Sequence, residues 1–173
     1  CKYVILWGTQ LGHLVNTIPL VSGPRLAESR RKGVKLVVID PFCSHAASKA
    51  DEWIPIKPGT DGALALAMLH VMVNELGVYD REFLKKHTNA PYLIQPDGTY
   101  LRDEETGKPL VWDLRDCKAK PFDASDLFDP AIEGSYEVRS QTYRPAFQVL
   151  KEHLETIDIT EMARITNVPV DRI

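Results

Sequence analysis

The chain has 173 residues, 44% of them hydrophobic and 26% charged, an ordinary balance for a globular domain with one full core and no room for two large ones. A net charge of -3, with no Lys/Arg block beyond Arg30-Arg31-Lys32, excludes an electrostatic nucleic-acid surface. No apolar run reaches membrane-spanning length, and three scattered cysteines without a C-x-x-C pair exclude a structural zinc or iron–sulfur site built by this chain alone.

Tyr3–Trp7 (YVILW) predicts a buried first strand. Gly8-Thr9-Gln10-Leu11-Gly12-His13 follows as a turn, either a plain strand-to-helix connection or a place where the backbone approaches a ligand. It is not a G-x-G-x-x-G fingerprint. Asn16–Val21 reads as a helical turn, and Gly23-Pro24 resets the chain into a helix from Pro24 to Lys32 with Gly33 beyond its end. Val34–Ile39 is a β-branched run of the kind covered on both faces in a parallel sheet. Strand, helix, strand implies a parallel crossover.

Ser44 or His45 to Ala50 is a short helix, with Ser44 as its N-cap or as a hydroxyl facing a ligand. His45 beside Cys43 reads as loop surface. Glu52–Ile56 is a second short strand, and Lys57-Pro58-Gly59-Thr60-Asp61 turns into an apolar helix running to about Leu76. His70 within it reads as a core or boundary residue.

Asp80–His87 is a short amphipathic helix capped by Asp80. Pro91–Gln95 and Tyr100–Leu101 flank a hairpin turn at Pro96–Thr99. Asp103-Glu104-Glu105 is a solvated turn, Pro109–Leu114 a strand, Asp116–Glu133 a loop, and Gly134–Val138 another strand. Arg144–Leu154 is helical, and Asp158 with Glu161 has capping-box spacing for a helix to about Ile165. The chain opens at Cys1 without a methionine and stops inside an element begun at Val170, as a segment of a longer protein would.

The fold class expected is α/β, a Rossmann-like three-layer parallel sheet flanked by helices. Residues 1–173 form one partial cofactor-binding domain, and 91–140 a β-rich insertion within it. Open parallel sheets bind ligands at the carboxyl ends of their strands, where Asp40 and Asp61 would sit. Asp61 also reads as a first-turn helix acid. No nucleophile motif or phosphate loop is present, so the residues themselves point to a nucleotide-like site without chemistry of its own.

VVIDPFCSHAASKADEWIPIKPGTDGALALAM, residues 37–68, resembles a segment of the molybdopterin oxidoreductases of the dimethylsulfoxide reductase family. That segment runs I-D-P-R, a Thr or Ser two further on, A-D-x-W-x-P-I-R-P-G-T-D, and an Ala/Leu helix. Gly8-Thr9-Gln10 after Leu6-Trp7 falls where the family has W-G-S-N-P. VYDREFLKKHTNAPYLI, LVWD, PAFQVLKEHLE and ITEMARITNVPVDRI also resemble family segments, so the likeness covers nearly the whole chain.

The resemblance implies a parent enzyme that carries bis-molybdopterin guanine dinucleotide around molybdenum or tungsten. This region would hold the guanosine and pyrophosphate end of one dinucleotide. Asp61 would accept from guanine N1–H and the 2-amino group, and Asp40 from the ribose hydroxyls. Gly8, Thr9 and Gln10 would line the pyrophosphate, with His13, Ser44, Pro58 and Gly59 as neighbours. No catalytic residue or metal ligand falls in this chain. The metal-ligating residue and the iron–sulfur cysteines would lie upstream, and the domain that seals the pterins downstream. The partners implied are those remaining domains and an iron–sulfur electron-transfer subunit. Substrate and compartment, bacterial or archaeal cytoplasm or periplasm, stay open.

Departures from the family pattern are Phe42 for Arg, Gln10 for Asn, Leu11 for Pro, His13 for an acid and Lys57 for Arg. They bear on the pyrophosphate contacts more than on the guanine contact. Two rivals remain, an NAD- or flavin-binding Rossmann domain and a non-catalytic accessory domain. The glycine spacing after the first strand weighs against the former. Phe42 favours the latter, and the retention of Asp40 and Asp61 opposes it.

Overall fold

The computed structural model describes residues 1–9 and 17–173. The chain divides into two compact units, Cys1–Met68 with Asp158–Ile173, and Leu69–Ile157.

In the first unit, β1 (Tyr3–Trp7), β2 (Lys35–Ile39) and β3 (Glu52–Ile54) form a parallel sheet in that order. Trp7 pairs with Ile39 and Ile39 with Ile54, so the three carboxyl ends are level. Side chains alternate between the faces of a strand. Val37 and Ile39 therefore pack on one side with Ile54, Ile56, Leu64 and Val168. Leu36 and Val38 pack on the other with Leu6, Ala46, Ala47 and Leu26. A β2 that is apolar on both faces thus makes the middle of three layers, as its sequence predicts. Helix α1 (Thr17–Arg31) links β1 to β2, and α2 (Asp61–His70) starts beyond β3. The Gly23-Pro24 break is overturned, because α1 runs through Pro24 without interruption. Proline's fixed φ is itself helical, so the ring costs one hydrogen bond and not the helix. Asn16, where that helical turn was expected to begin, lies outside the described residues. Helix α5 (Ile159–Thr166) closes the unit, with the Asp158 carboxylate accepting from Thr160 N–H at 2.9 Å.

In the second unit, the apolar helix ends in a π-turn over Val71–Glu75, and α3 spans Arg81–His87. Asp80 caps α3 by accepting from Phe83 N–H at 2.9 Å. His70 Nδ1 lies 2.6 Å from the Leu154 carbonyl oxygen, a boundary role. Strands β4 (Leu93–Ile94), β8 (Gln141–Pro145) and β7 (Tyr136–Val138) form an antiparallel sheet in that order. The hairpin turn at residues 96–99 is present, with Leu101 N–H donating to Leu93 O at 2.8 Å.

Two expectations fail in this unit. The loop expected over Asp116–Glu133 contains β6 (Lys118–Pro121), paired antiparallel with β5 (Leu110–Asp113). The helix expected from Arg144 begins two residues later, as α4 (Ala146–Glu155), because Arg144 and Pro145 complete β8. The polar β6 is held by an ion pair across the β5–β6 hairpin. Lys120 Nζ lies 3.0 Å from an Asp113 carboxylate with no exposed surface, and it also engages Asp116 and Asp126. Asp113 further accepts from the N–H groups of Arg115, Phe128 and Asp129, each at 3.1 Å, which fastens the loop after β6 to β5.

Candidate functional site

The carboxyl edge of the parallel sheet is where the chain gathers its candidate residues. β1 ends at Trp7, and Gly8 turns away with φ +60°, its N–H donating to Ile39 O at 2.9 Å. Among the described residues, no atom lies within 4 Å of the place a Gly8 Cβ would occupy. Thr9 is exposed, while Gln10 and His13 lie outside the described residues.

β2 ends at Ile39, which puts Asp40 at the edge. Its N–H donates to Ile54 O at 3.2 Å, and its carbonyl accepts from Trp53 Nε1 at 2.9 Å. The Asp40 side chain is 4% exposed, and its Oδ1 accepts from Phe42 N–H at 3.1 Å. Phe42 itself stands 59% exposed beside it. Ser44 is buried, and its hydroxyl oxygen accepts from Ala47 N–H at 3.2 Å, which is the capping role allowed by the sequence.

β3 leads into the turn at Lys57–Thr60, where Pro58 and Gly59 are exposed and Gly59 adopts φ +78°. A Cβ there would meet no atom of the described residues within 4 Å, but an L side chain at that φ is strained. Lys57 N–H donates to Thr166 O at 2.9 Å, so the C-terminal end of α5 braces the turn. Thr60 Oγ1 donates back to Lys57 O at 2.6 Å, and Asp61 then opens α2 with its side chain exposed. The Asp61 Oδ1 accepts from the indole Nε1–H of Trp7 at 2.6 Å.

Gly8, Asp40 and the turn to Asp61 are thus joined through β-sheet pairing and through two tryptophans. In the sequence both tryptophans read as strand residues at tryptophan positions of the family pattern, and neither is given a hydrogen bond there. A tryptophan at or near a strand end, followed by a glycine turn or a Pro-Gly turn, is the signal available there. What the edge presents is acceptors, a buried carboxylate after β2 and an exposed one at the start of α2. Such a pair suits a ligand with hydroxyl and amino donors. Among the described residues, no group of three or more His, Cys, Asp or Glu side chains could hold a metal ion.

Comparison with known proteins gives the family. Residues 1–142 match the family model described as molybdopterin oxidoreductase. The alpha chain of perchlorate reductase from Dechloromonas aromatica is 34% identical over 215 residues, taking in 99% of this chain and 22% of its own length. A sulfite dehydrogenase from Allochromatium vinosum is 34% identical over 187 residues, with 99% of this chain and 19% of its own length covered. The solved structure of acetylene hydratase from Pelobacter acetylenicus overlays with a TM-score of 0.56 at 22% identity, over 99% of this chain and 15% of that one, a likeness of fold. The chain spans about a fifth of the length of these curated relatives.

Proposed function

The chain belongs to the molybdopterin oxidoreductase family, and we propose that it is the part of a longer enzyme that holds the guanosine end of a molybdopterin guanine dinucleotide. The observation that carries this reading is the pair of carboxylates at one sheet edge, Asp40 buried after β2 and Asp61 exposed at the start of α2. Guanine presents N1–H and a 2-amino group side by side, two donors that one carboxylate can accept together. Adenine offers an acceptor at N1, which a carboxylate repels. Ribose hydroxyls are donors as well, and an acid at the end of the second strand of such a sheet suits them.

The acceptor set therefore fits the cofactor. Asp61 takes the base and Asp40 the ribose. Gly8, Thr9 and Gln10 are assigned to the pyrophosphate and His13 to its neighbourhood, Gln10 and His13 from the sequence alone since both lie outside the described residues. Ser44, Pro58 and Gly59 shape the wall. The open backbone at Gly8 and Gly59 supports close approach. When bound, the molybdenum or tungsten centre supplies oxygen-atom or electron-pair transfer. This chain's share is to bind and orient the far end of the cofactor. The rest of the parent enzyme, with an iron–sulfur electron-transfer subunit, completes the machinery. Residues 91–140 are a β-rich insertion that contributes none of these residues.

Calorimetric titration with GDP, ADP and NADH tests the reading. GDP binds in preference to the other two, and Asp61→Asn removes the preference because the amide puts a donor against a donor. A folded chain that treats the three nucleotides alike refutes the guanosine site and favours a non-catalytic accessory domain. Preference for NADH favours a dinucleotide-binding Rossmann domain.

A further inference from the structure

We infer that Trp7 is a positioning residue for Asp61, and that its indole N–H sets how strongly the site selects guanine. The inference rests on the guanosine reading above and deepens it. The contact is a side-chain bond of 2.6 Å between residues 54 positions apart, from the last residue of β1 to the first of α2. Asp61 is exposed, and among the described residues its carboxylate has no other hydrogen-bond or ion-pair partner. An exposed aspartate held by nothing samples several rotamers, and a ligand must freeze one of them. Here the indole does the freezing in advance.

The donor is itself fixed. The Trp7 ring packs against the cluster of Val37, Ile39, Ile54, Ile56, Leu64 and Val168, so its N–H is aimed by the core and not by solvent. Indole is a donor only, and it never competes with a base for the role of acceptor. An ionised carboxylate offers about four lone-pair sites, and one N–H leaves enough for the two donors of guanine. A carboxylate oriented before the ligand arrives binds more tightly because less freedom is lost on binding. The gain falls on a base that engages both oxygens, so it appears as selectivity and not as general affinity.

Trp7→Phe removes the N–H and keeps an aromatic ring on the core. We expect its affinity for GDP to fall about tenfold, the scale of a hydrogen bond to a charged group, with ADP affinity unchanged. In the Asp61→Asn background the same substitution leaves GDP affinity where it was. A GDP/ADP ratio that survives Trp7→Phe, while Asp61→Asn abolishes it, overturns the positioning role and leaves the guanosine reading standing. A native chain without GDP preference overturns both. The native fold provides a measurement that does not depend on Trp7→Phe folding. In 15N-labelled native chain, the Trp7 indole N–H resonance exchanges slowly with water, shifts on adding GDP, and moves to a free-indole position in Asp61→Asn. An indole resonance indifferent to both changes refutes the inference.

Discussion

Asp40 and Asp61 are the same residue type put to different work by where each lies relative to its strand or helix. Asp40 follows the central strand β2, is 4% exposed, and spends one oxygen on Phe42 N–H. That bond fixes the carboxylate and leaves the rest of it for a donor at the sheet edge. Asp40→Asn keeps an oxygen for Phe42 N–H but loses the charge. On the proposed function, GDP binds native chain about tenfold more tightly than 2′,3′-dideoxy-GDP, since hydrogen bonds to a charged acceptor are worth about 1.5–3 kcal/mol. In Asp40→Asn that gap narrows to threefold or less. Titration of both nucleotides against both chains measures it, and an undiminished gap in the variant removes Asp40 from ribose binding.

The turn that presents Gly59 and Asp61 depends on an element distant in sequence. Helix α5 has eight residues and is too short to be stable alone, so its N-cap matters. The Asp158 carboxylate accepts from Thr160 N–H at 2.9 Å and Glu161 N–H at 3.4 Å. At the other end of α5, Thr166 O accepts from Lys57 N–H at the foot of the turn. Asp158→Ala costs about 1 kcal/mol of stability. The amide of Lys57 then exchanges with solvent faster while amides in β2 stay as protected as the global loss allows. Hydrogen exchange read by NMR checks this, and a Lys57 amide that slows or holds still uncouples α5 from the turn.

Elements of this kind also mark what the sequence could and could not tell. β2 was readable because four apolar residues in a row, Leu36–Ile39, leave no solvent face, and the Asp158–Glu161 spacing announced α5. The Asp40 and Asp61 positions followed from strand ends. β6 was not readable, since Lys-Ala-Lys-Pro has no strand pattern. Its strand state comes from pairing with β5 and from Lys120 reaching back seven residues to the buried Asp113, neither of which the side-chain pattern of β6 itself announces. The start of α4 was missed for a related reason. Arg144 and Pro145 pair with Ile94 and Leu93, and that pairing overrides their place at the head of an amphipathic stretch. Trp7 was visible as a strand residue, but its bond to Asp61 spans 54 positions and needs the folded sheet.

At the scale of the whole molecule, the two units are built on different physics. The first unit has a central strand covered on both faces by apolar side chains and carries every candidate site residue among those described. The second has an apolar cluster around Leu93, Leu101, Leu110 and Tyr143, but its long loop is tied down by charge. That tie has a pH signature. Burial pushes the Asp113 carboxyl up, and the Lys120 ammonium with the N–H groups of Phe128, Asp129 and Arg115 outweighs it, holding Asp113 down to about 2. Hydrogen bonding to Asp116, Asp113 and Asp126 raises Lys120 against the desolvation that lowers it. A carboxylate depressed in the folded state stabilises the fold above its unfolded value of 3.8, and the contribution is lost as pH falls from there through 2. A shift of this size corresponds to about 2 kcal/mol. A raised ammonium contributes in full below 10.5 and fades only as pH climbs past that value, so the pair is at full strength between about pH 4 and 10. Asp113→Asn leaves Lys120 with the more exposed carboxylates of Asp116 and Asp126 and costs about 2 kcal/mol near pH 7, the size of the charge contribution it removes. The difference in urea stability between native chain and variant shrinks by about 2 kcal/mol between pH 5 and pH 2, because acid removes from the native chain what the substitution has already removed. A difference that stays constant over that range means that the backbone N–H bonds to Asp113, and not its charge, hold the loop.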